Sequence, residues 1–185
     1  MRDTERNLIL PAGAYWTRVS GAANSDLLTW IDRAERFEPY THDAGRETAE
    51  RFRAELRAGD VVADTYAMCL GDDLLGFYSL REWRIRFVHD KWSLGTLPRR
   101  VLHLLRQPGL LLSSIVRSRT TAPGFGHFLF EHALGVALDD PLVRAIFIEP
   151  ANNSVAEMWR ARYSFRPVGD PDLPGTLYFP VNPVN

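Results

Sequence analysis

The stretch IVRSRTTAPGFGH, residues 115–127, decides the fold of this sequence. It leads from an apolar run at 110–116, typical of a buried strand, into an apolar run at 127–138, typical of a helix packed on a sheet. Between the two runs, Gly124 and Gly126 predict a turn in which several backbone N–H groups point at one spot beside the helix N-terminus. Such amides and the positive end of the helix dipole suit a diphosphate. Strand-to-helix turns also contain two glycines for purely steric reasons, so the spacing alone leaves both interpretations open.

Upstream of this stretch, the sequence predicts two helices and a hairpin. Apolar residues at helical spacing indicate one helix that starts within residues 24–26 and extends toward Phe37, and a second that carries Phe52 and ends at Gly59. Two apolar runs at 65–70 and 74–80 are separated by Gly-Asp-Asp, which is typical of a β-hairpin.

Downstream, shorter elements complete the pattern. The sequence predicts in turn a strand, a helix and two closing strands, at 144–149, 154–163, 165–168 and 176–181. The whole order is α, α, β, β, β, α, β, α, β, β. It predicts an α/β fold with a mixed, mostly antiparallel sheet flanked by helices.

The composition fits one domain over residues 1–185. The chain has 185 residues, of which 45% are apolar, enough for a sizeable core. A formal net charge of -1 gives no overall reason to expect nucleic acid or an acidic membrane as a partner. Cys69 is the single cysteine, so we expect it to pack among apolar residues. We see no secretory signal and no run that could span a bilayer, and therefore expect a cytoplasmic protein without a membrane partner.

The glycine turn resembles the pyrophosphate loop of the GNAT superfamily of N-acetyltransferases. That loop reads Gln or Arg, two residues, Gly, one residue, then Gly or Ala. Gly124 and Gly126 occupy the glycine positions, whereas Thr121 stands where Gln or Arg is usual and Ala122 where another glycine is common. Pro123 has no N–H, so one phosphate donor is missing.

The resemblance covers roughly residues 65–181 and implies acetyl-CoA as cosubstrate. Downstream of the loop, Asn153, Ala156, Trp159 and Ser164-Phe165 resemble the family's Asn, Ala, Leu and Gly-Phe signature. The residues that the resemblance assigns to the cofactor are Ile115 and Val116 for pantetheine, Thr121, Ala122, Gly124, Phe125, Gly126 and His127 for the diphosphate, and Asn153 for the cofactor arm. A structural alternative exists for Asn153, because Asn152, Asn153 and Ser154 all suit a helix N-cap and Ser154 with Glu157 forms a capping box.

Acetyl transfer needs a proton donor for the leaving thiolate, and here the sequence departs from the family. Many relatives carry a tyrosine five residues before the signature phenylalanine, but Arg160 occupies that place. Tyr163 lies one helical turn further and is a candidate general acid, while Arg160 is a candidate for stabilising the thiolate. Glu149 is a candidate base. The histidines, Cys69 and the acidic residues form no recognisable metal motif, so no metal is expected.

One segment of the sequence carries basic residues and no acidic ones. From Lys91 to Phe130 there are six Lys or Arg and no Asp or Glu, against twelve basic and sixteen acidic residues in the first ninety. This segment serves either the cofactor's phosphates or an RNA backbone, unless it is only a solvated face.

The run Gly76-Phe77-Tyr78-Ser79-Leu80, followed by an insert with Leu97-Pro98, resembles the acetyltransferase toxins of bacterial toxin–antitoxin pairs. That resemblance implies aminoacyl-tRNA as the amine acceptor and an antitoxin as partner; a second copy of the chain is a further candidate partner. A small-molecule or protein amine acetyltransferase and a silent domain that binds acetyl-CoA are the alternatives.

Overall fold

A computed structural model describes residues 10–19, 24–40, 43–59, 64–83, 108–169 and 173–181. Its elements in chain order are β1 (Ala14–Arg18), α1 (Asn24–Arg36), α2 (Asp43–Ala58), β2 (Asp64–Leu70), β3 (Asp73–Trp83), β4 (Gly109–Arg117), α3 (Gly126–Asp139), β5 (Ala145–Ile148), α4 (Asn153–Tyr163), β6 (Arg166–Pro167) and β7 (Leu177–Pro180). The predicted insert with Leu97-Pro98, and with it Lys91, Arg99, Arg100 and Arg106, lies outside these ranges.

The strands form one mixed sheet in the order β1-β2-β3-β4-β5-β7-β6. β4 and β5 are parallel, whereas β5 with β7 and β6 with β7 are antiparallel. The α/β class with a mixed, mostly antiparallel sheet is therefore confirmed. The sheet also contains β1, which pairs antiparallel with β2 from Ala14 opposite Leu70 to Arg18 opposite Tyr66. The sequence pattern did not predict β1.

The chain forms two compact units, and β3 and β4 each contribute residues to both. The first unit comprises Met1–Ser79 and Ser114–His132, and the second comprises Leu80–Ser113 and Ala133–Asn185. The expectation of a single domain over residues 1–185 stays a prediction.

Aromatic packing dominates the core of the first unit. The apolar faces of α1 and α2 are buried with the inner residues of β2 and β3, and Phe52 stacks on Phe77 with ring centroids 4.4 Å apart. Phe37 meets Phe77 edge-on at 5.6 Å. Cys69 is fully buried in this cluster, which confirms its expected packing role. Burial of this apolar surface holds α1 and α2 on the sheet. Val116 of β4 belongs to the same buried cluster.

The second unit has a separate core and contains α4. Its buried cluster consists of Ala145, Phe147, Val168 and Tyr178, with Trp83, Leu111 and Leu173 packed against it. α4 begins after Asn152, whose side-chain Oδ1 accepts a hydrogen bond of 3.0 Å from the amide of Val155. The predicted capping box of Ser154 and Glu157 is therefore wrong: Ser154 lies inside the helix, and the carboxylate of Glu157 pairs with Arg160.

Candidate functional site

The site begins where β4 ends and α3 starts. Residues 118–125 connect the two elements through successive tight turns. The amide of Thr121 donates to the carbonyl of Ser118 (3.3 Å), that of Phe125 to Ala122 (3.2 Å) and that of His127 to Gly124 (2.8 Å). These turns provide acceptors for three of the amides along residues 121–127.

Three loop amides have no acceptor within the part of the chain that the structure describes: those of Ala122, Gly124 and Gly126. Gly124 has φ of 92°, a backbone conformation that favours glycine. A Cβ added to Gly126 would meet no atom within 4 Å, so space is open in front of the helix start. The dipole of the fourteen-residue helix α3 adds a positive field there. The loop therefore offers the cluster of donors that a diphosphate requires.

Arg117 holds the start of this loop. Its Nη1 donates to the carbonyl of Thr121 at 2.9 Å and to the Thr121 hydroxyl at 3.3 Å. The guanidinium carbon lies 3.6 Å from the centroid of the Tyr40 ring, which is a cation–π contact. The Thr121 hydroxyl donates in turn to the carbonyl of Ser118 at 2.7 Å. Thr121 therefore shapes the loop, and sequence reasoning missed the arginine that fixes it.

The last residues of β4 lie beyond the register that joins it to β5. The paired residues are Gly109 to Leu111 of β4 opposite Ala145 to Phe147 of β5, whereas β4 continues to Arg117. Val116 is buried and Ile115 is half-buried, so their side chains serve the core. Side chains in a strand alternate between faces while the backbone edge stays free to bond, so packing and ligand contact are compatible here.

Gly76 allows β3 to approach this end of β4. A Cβ on Gly76 would lie 2.9 Å from the carbonyl oxygen of Val116 and 3.0 Å from Cδ1 of Leu129 on α3. Backbone cannot yield as a side chain does, so any larger residue at this position must push β3, β4 or α3 apart.

We expect Gly76→Ala to lower the free energy of unfolding by about 1–3 kcal/mol, because the added methyl group overpacks this approach. Gly135→Ala in α3 is the matched control, since its Cβ would meet nothing within 4 Å. That control should be neutral or stabilise by up to about 1 kcal/mol, the helix propensity difference. Urea unfolding of both variants measures the contrast, and equal stabilities would contradict the close approach.

A tyrosine–histidine hydrogen bond anchors the first half of α3 on the sheet. The Tyr78 hydroxyl and Nδ1 of His132 are 2.6 Å apart, and the His132 ring stacks on Trp16 with centroids 3.8 Å apart. Burial raises the pKa of the Tyr78 phenol, and burial lowers the pKa of His132. Both shifts favour neutral groups, so the phenol donates and the neutral imidazole accepts. The pair ties α3 to β3 through Tyr78 and to β1 through Trp16.

His127 and Phe125 already have partners within the protein, unlike the three amides described above. Nε2 of His127 lies 2.9 Å from Oε1 of Glu131, one helical turn away. The backbone amide of His127 donates to the carbonyl of Gly124. The Phe125 side chain is buried and meets Phe128 edge-on at 5.9 Å. Phe125 supports the loop by packing, and the imidazole of His127 pairs with Glu131.

The other predicted residues belong to the second unit. Asn153 is the first residue of α4, and Arg160 pairs through Nη1 with Oε1 of Glu157 at 2.7 Å. Tyr163 is half-buried, with its ring 4.9 Å from that of Trp159 and the guanidinium of Arg162 5.6 Å away. Glu149 follows β5 and is exposed. Neither the cofactor role of Asn153 nor a catalytic role of Arg160, Tyr163 or Glu149 is established by these contacts.

Two negative findings apply to the described residues. They contain no group of three or more His, Cys, Asp or Glu side chains that could hold a metal ion. Among their helices, none has the length and apolar character needed to cross a membrane.

Solved structures resemble this chain over most of its length. AtaT in the AtaTR complex bound with AcCoA covers 91% of this chain with a TM-score of 0.62 and 18% identity, over 94% of its own length. AtaT complexed with acetyl-methionyl-tRNAfMet covers 90% (94% of its own length), with a TM-score of 0.59 and 18% identity. A tyrosine-to-phenylalanine mutant of KacT covers 91% (95% of its own length), with a TM-score of 0.58 and 17% identity.

The chain has the GNAT fold. At this level of identity the likeness establishes the fold of the chain. No protein-family model matches the sequence, and no curated protein matches it. Within the GNAT fold, the loop between β4 and α3 and the last residues of β4 are the parts of this chain whose geometry suits a phosphate-bearing ligand.

Proposed function

We propose that this protein is an N-acetyltransferase that transfers the acetyl group of acetyl-CoA to a primary amine. The observation that carries the proposal is the cluster of Ala122, Gly124 and Gly126 amides at the start of α3. It lies in a fold shared with AtaT, which has been solved with AcCoA.

Each part of the first-unit site has a distinct task in this proposal. The three amides bind the diphosphate, and Arg117 keeps the loop in position through Thr121. The backbone of Ile115 and Val116 binds the pantetheine arm, because it lies beyond the paired register of β4. The imidazole of His127 flanks the diphosphate. Asn153 belongs to the second unit, and its role at the cofactor arm stays a prediction. Acetyl-CoA supplies an activated acetyl group as a thioester.

The proton donor for the thiolate is Tyr163 or Arg160. A phenol donates a proton directly, whereas a guanidinium stays protonated and stabilises negative charge. Arg160 pairs with Glu157, which weakens the field of its guanidinium, whereas the Tyr163 ring contacts Trp159 and Arg162. These contacts favour Tyr163.

The acceptor we propose is the amino group of an aminoacyl-tRNA, with the protein acting as a toxin that an antitoxin restrains. The support is the fold shared with the AtaT toxin, solved with acetyl-methionyl-tRNAfMet and in another structure with the C-terminus of the antitoxin AtaR. The basic segment from Lys91 to Phe130 is consistent with an RNA acceptor.

Release of free thiol from acetyl-CoA tests the proposed activity. We expect purified protein to release thiol in the presence of methionyl-tRNA, and not with unacylated tRNA, because only the former carries a free α-amino group. Polyamines, aminoglycosides and lysine peptides test the alternative acceptors. If acetyl-CoA binds but no acceptor leads to thiol release, the chain is a silent binding domain and the proposed catalysis is wrong.

A further inference from the structure

An arginine of α2 contacts the strand that the proposed function assigns to the cofactor. Nη2 of Arg51 donates a hydrogen bond of 3.1 Å to the hydroxyl of Ser114. Ser114 directly precedes Ile115 on β4, and both residues belong to the first unit. A cation is therefore held against the cofactor strand from the side of α2.

The side chain of Arg51 bonds to Ser114 and not to the acidic residue before it on its own helix. Glu47 lies one turn before Arg51, which is the usual spacing for helical ion pairs. Within the described ranges, the side-chain hydrogen bond of Arg51 goes to Ser114 and none goes to Glu47. Arg53 and Arg57 of the same helix, by contrast, pair with Glu50 and Glu35. Arg51 is thus a guanidinium with unused donors beside the site.

We propose that Arg51 binds a backbone phosphate of an RNA acceptor and so helps to place the acceptor amine beside β4; this inference rests on the proposed acetyl transfer. The planar guanidinium matches a phosphate with two parallel hydrogen bonds, and the Ser114 hydroxyl holds it in a fixed direction. The segment from Lys91 to Phe130, which has six Lys or Arg and no Asp or Glu, supports a phosphate-bearing acceptor.

The phosphate that Arg51 binds belongs to the acceptor and not to the cofactor. The diphosphate donors follow Arg117, and Ser114 lies three residues earlier on β4. At about 3.3 Å per strand residue, this separates Ser114 from the start of the loop by about 10 Å. We therefore assign Arg51, through its contact with Ser114, to the acceptor and not to the diphosphate.

Fluorescence anisotropy with a labelled, unacylated tRNA tests the proposal without requiring catalysis. We expect Arg51→Ala to weaken tRNA binding by about tenfold to hundredfold, the range for one charge-assisted hydrogen-bonded contact. The slope of log K against the logarithm of the salt concentration should become shallower by about 0.7 to 0.9, as expected when one phosphate contact is lost. Arg51→Lys should restore part of the affinity, since it keeps the charge and loses the fork.

Arg46→Ala is the matched control. Arg46 is an exposed arginine of the same helix, and the substitution removes the same charge. It should change tRNA affinity less than threefold, and calorimetry should show acetyl-CoA affinity unchanged in both variants, with folding checked by circular dichroism. Equal losses in the two variants, or no tRNA binding by the wild type, overturn the proposal. Weaker acetyl-CoA binding by Arg51→Ala overturns it in favour of a cofactor phosphate. A selective loss of tRNA binding supports it even if thiol release fails, in which case only the proposed catalysis is wrong.

Discussion

Gly124→Asp should weaken acetyl-CoA binding by about a hundredfold or more. The substitution places a side chain at φ of 92°, where glycine is favoured, which costs about 1–2 kcal/mol. It also brings a carboxylate to the diphosphate, and the two negative charges repel each other. Isothermal titration calorimetry measures the loss.

Gly169→Asp is the matched control for Gly124→Asp. Gly169 also has a positive φ, 75°, and a Cβ there would meet nothing within 4 Å, so the variant introduces backbone strain and a carboxylate at a glycine that is not part of the loop. It should bind acetyl-CoA like the wild type, and Asn153→Ala should lose less than Gly124→Asp. If the wild type and Gly124→Asp bind acetyl-CoA equally well, and circular dichroism shows both to be folded, the cofactor does not bind at this loop.

Tyr163→Phe should lower turnover by about 10² to 10⁴, the usual contribution of one positioned proton donor. Acetyl-CoA affinity should stay almost unchanged, because the hydroxyl acts on the leaving group and not on the diphosphate. Thiol release under saturating acetyl-CoA measures turnover, and calorimetry measures affinity.

Arg160→Ala separates the two candidate roles. It removes a positive charge that Glu157 already shares, so its effect on turnover should be smaller than that of Tyr163→Phe. If Arg160→Ala alone lowers turnover, Arg160 stabilises the thiolate and the assignment to Tyr163 is wrong. If neither variant is slower, the proton comes from another group.

Much of the fold followed from local sequence patterns. Phe52 and Leu56 at helical spacing predicted α2, and the Gly-Asp-Asp turn predicted the β2–β3 hairpin, because in both cases nearby residues alone determine the element. β1 escaped prediction because it is only five residues long and mixes exposed and half-buried positions. Its strand character comes from pairing with β2, about fifty residues away in the chain.

The sequence predicted which segment forms the candidate site, but it did not predict the contacts within that segment. The glycines and the strand-to-helix order identified residues 115–127, whereas the choice of free amides depends on which turns close within the loop. Arg117 was hidden because its partner Tyr40 is far away in sequence, and Arg51 because Ser114 is 63 residues away. Such contacts arise from tertiary packing and leave no periodic signal.

Calorimetric titration of the wild-type protein with acetyl-CoA tests the central claim most directly. We expect one binding site per chain and a measurable heat, with an affinity that Gly124→Asp reduces and Gly169→Asp preserves. Ligands bound by only about -4 kcal/mol are still detected near 1 mM. No heat and no thermal shift at concentrations up to about 1 mM would contradict the claim that the loop between β4 and α3 binds acetyl-CoA.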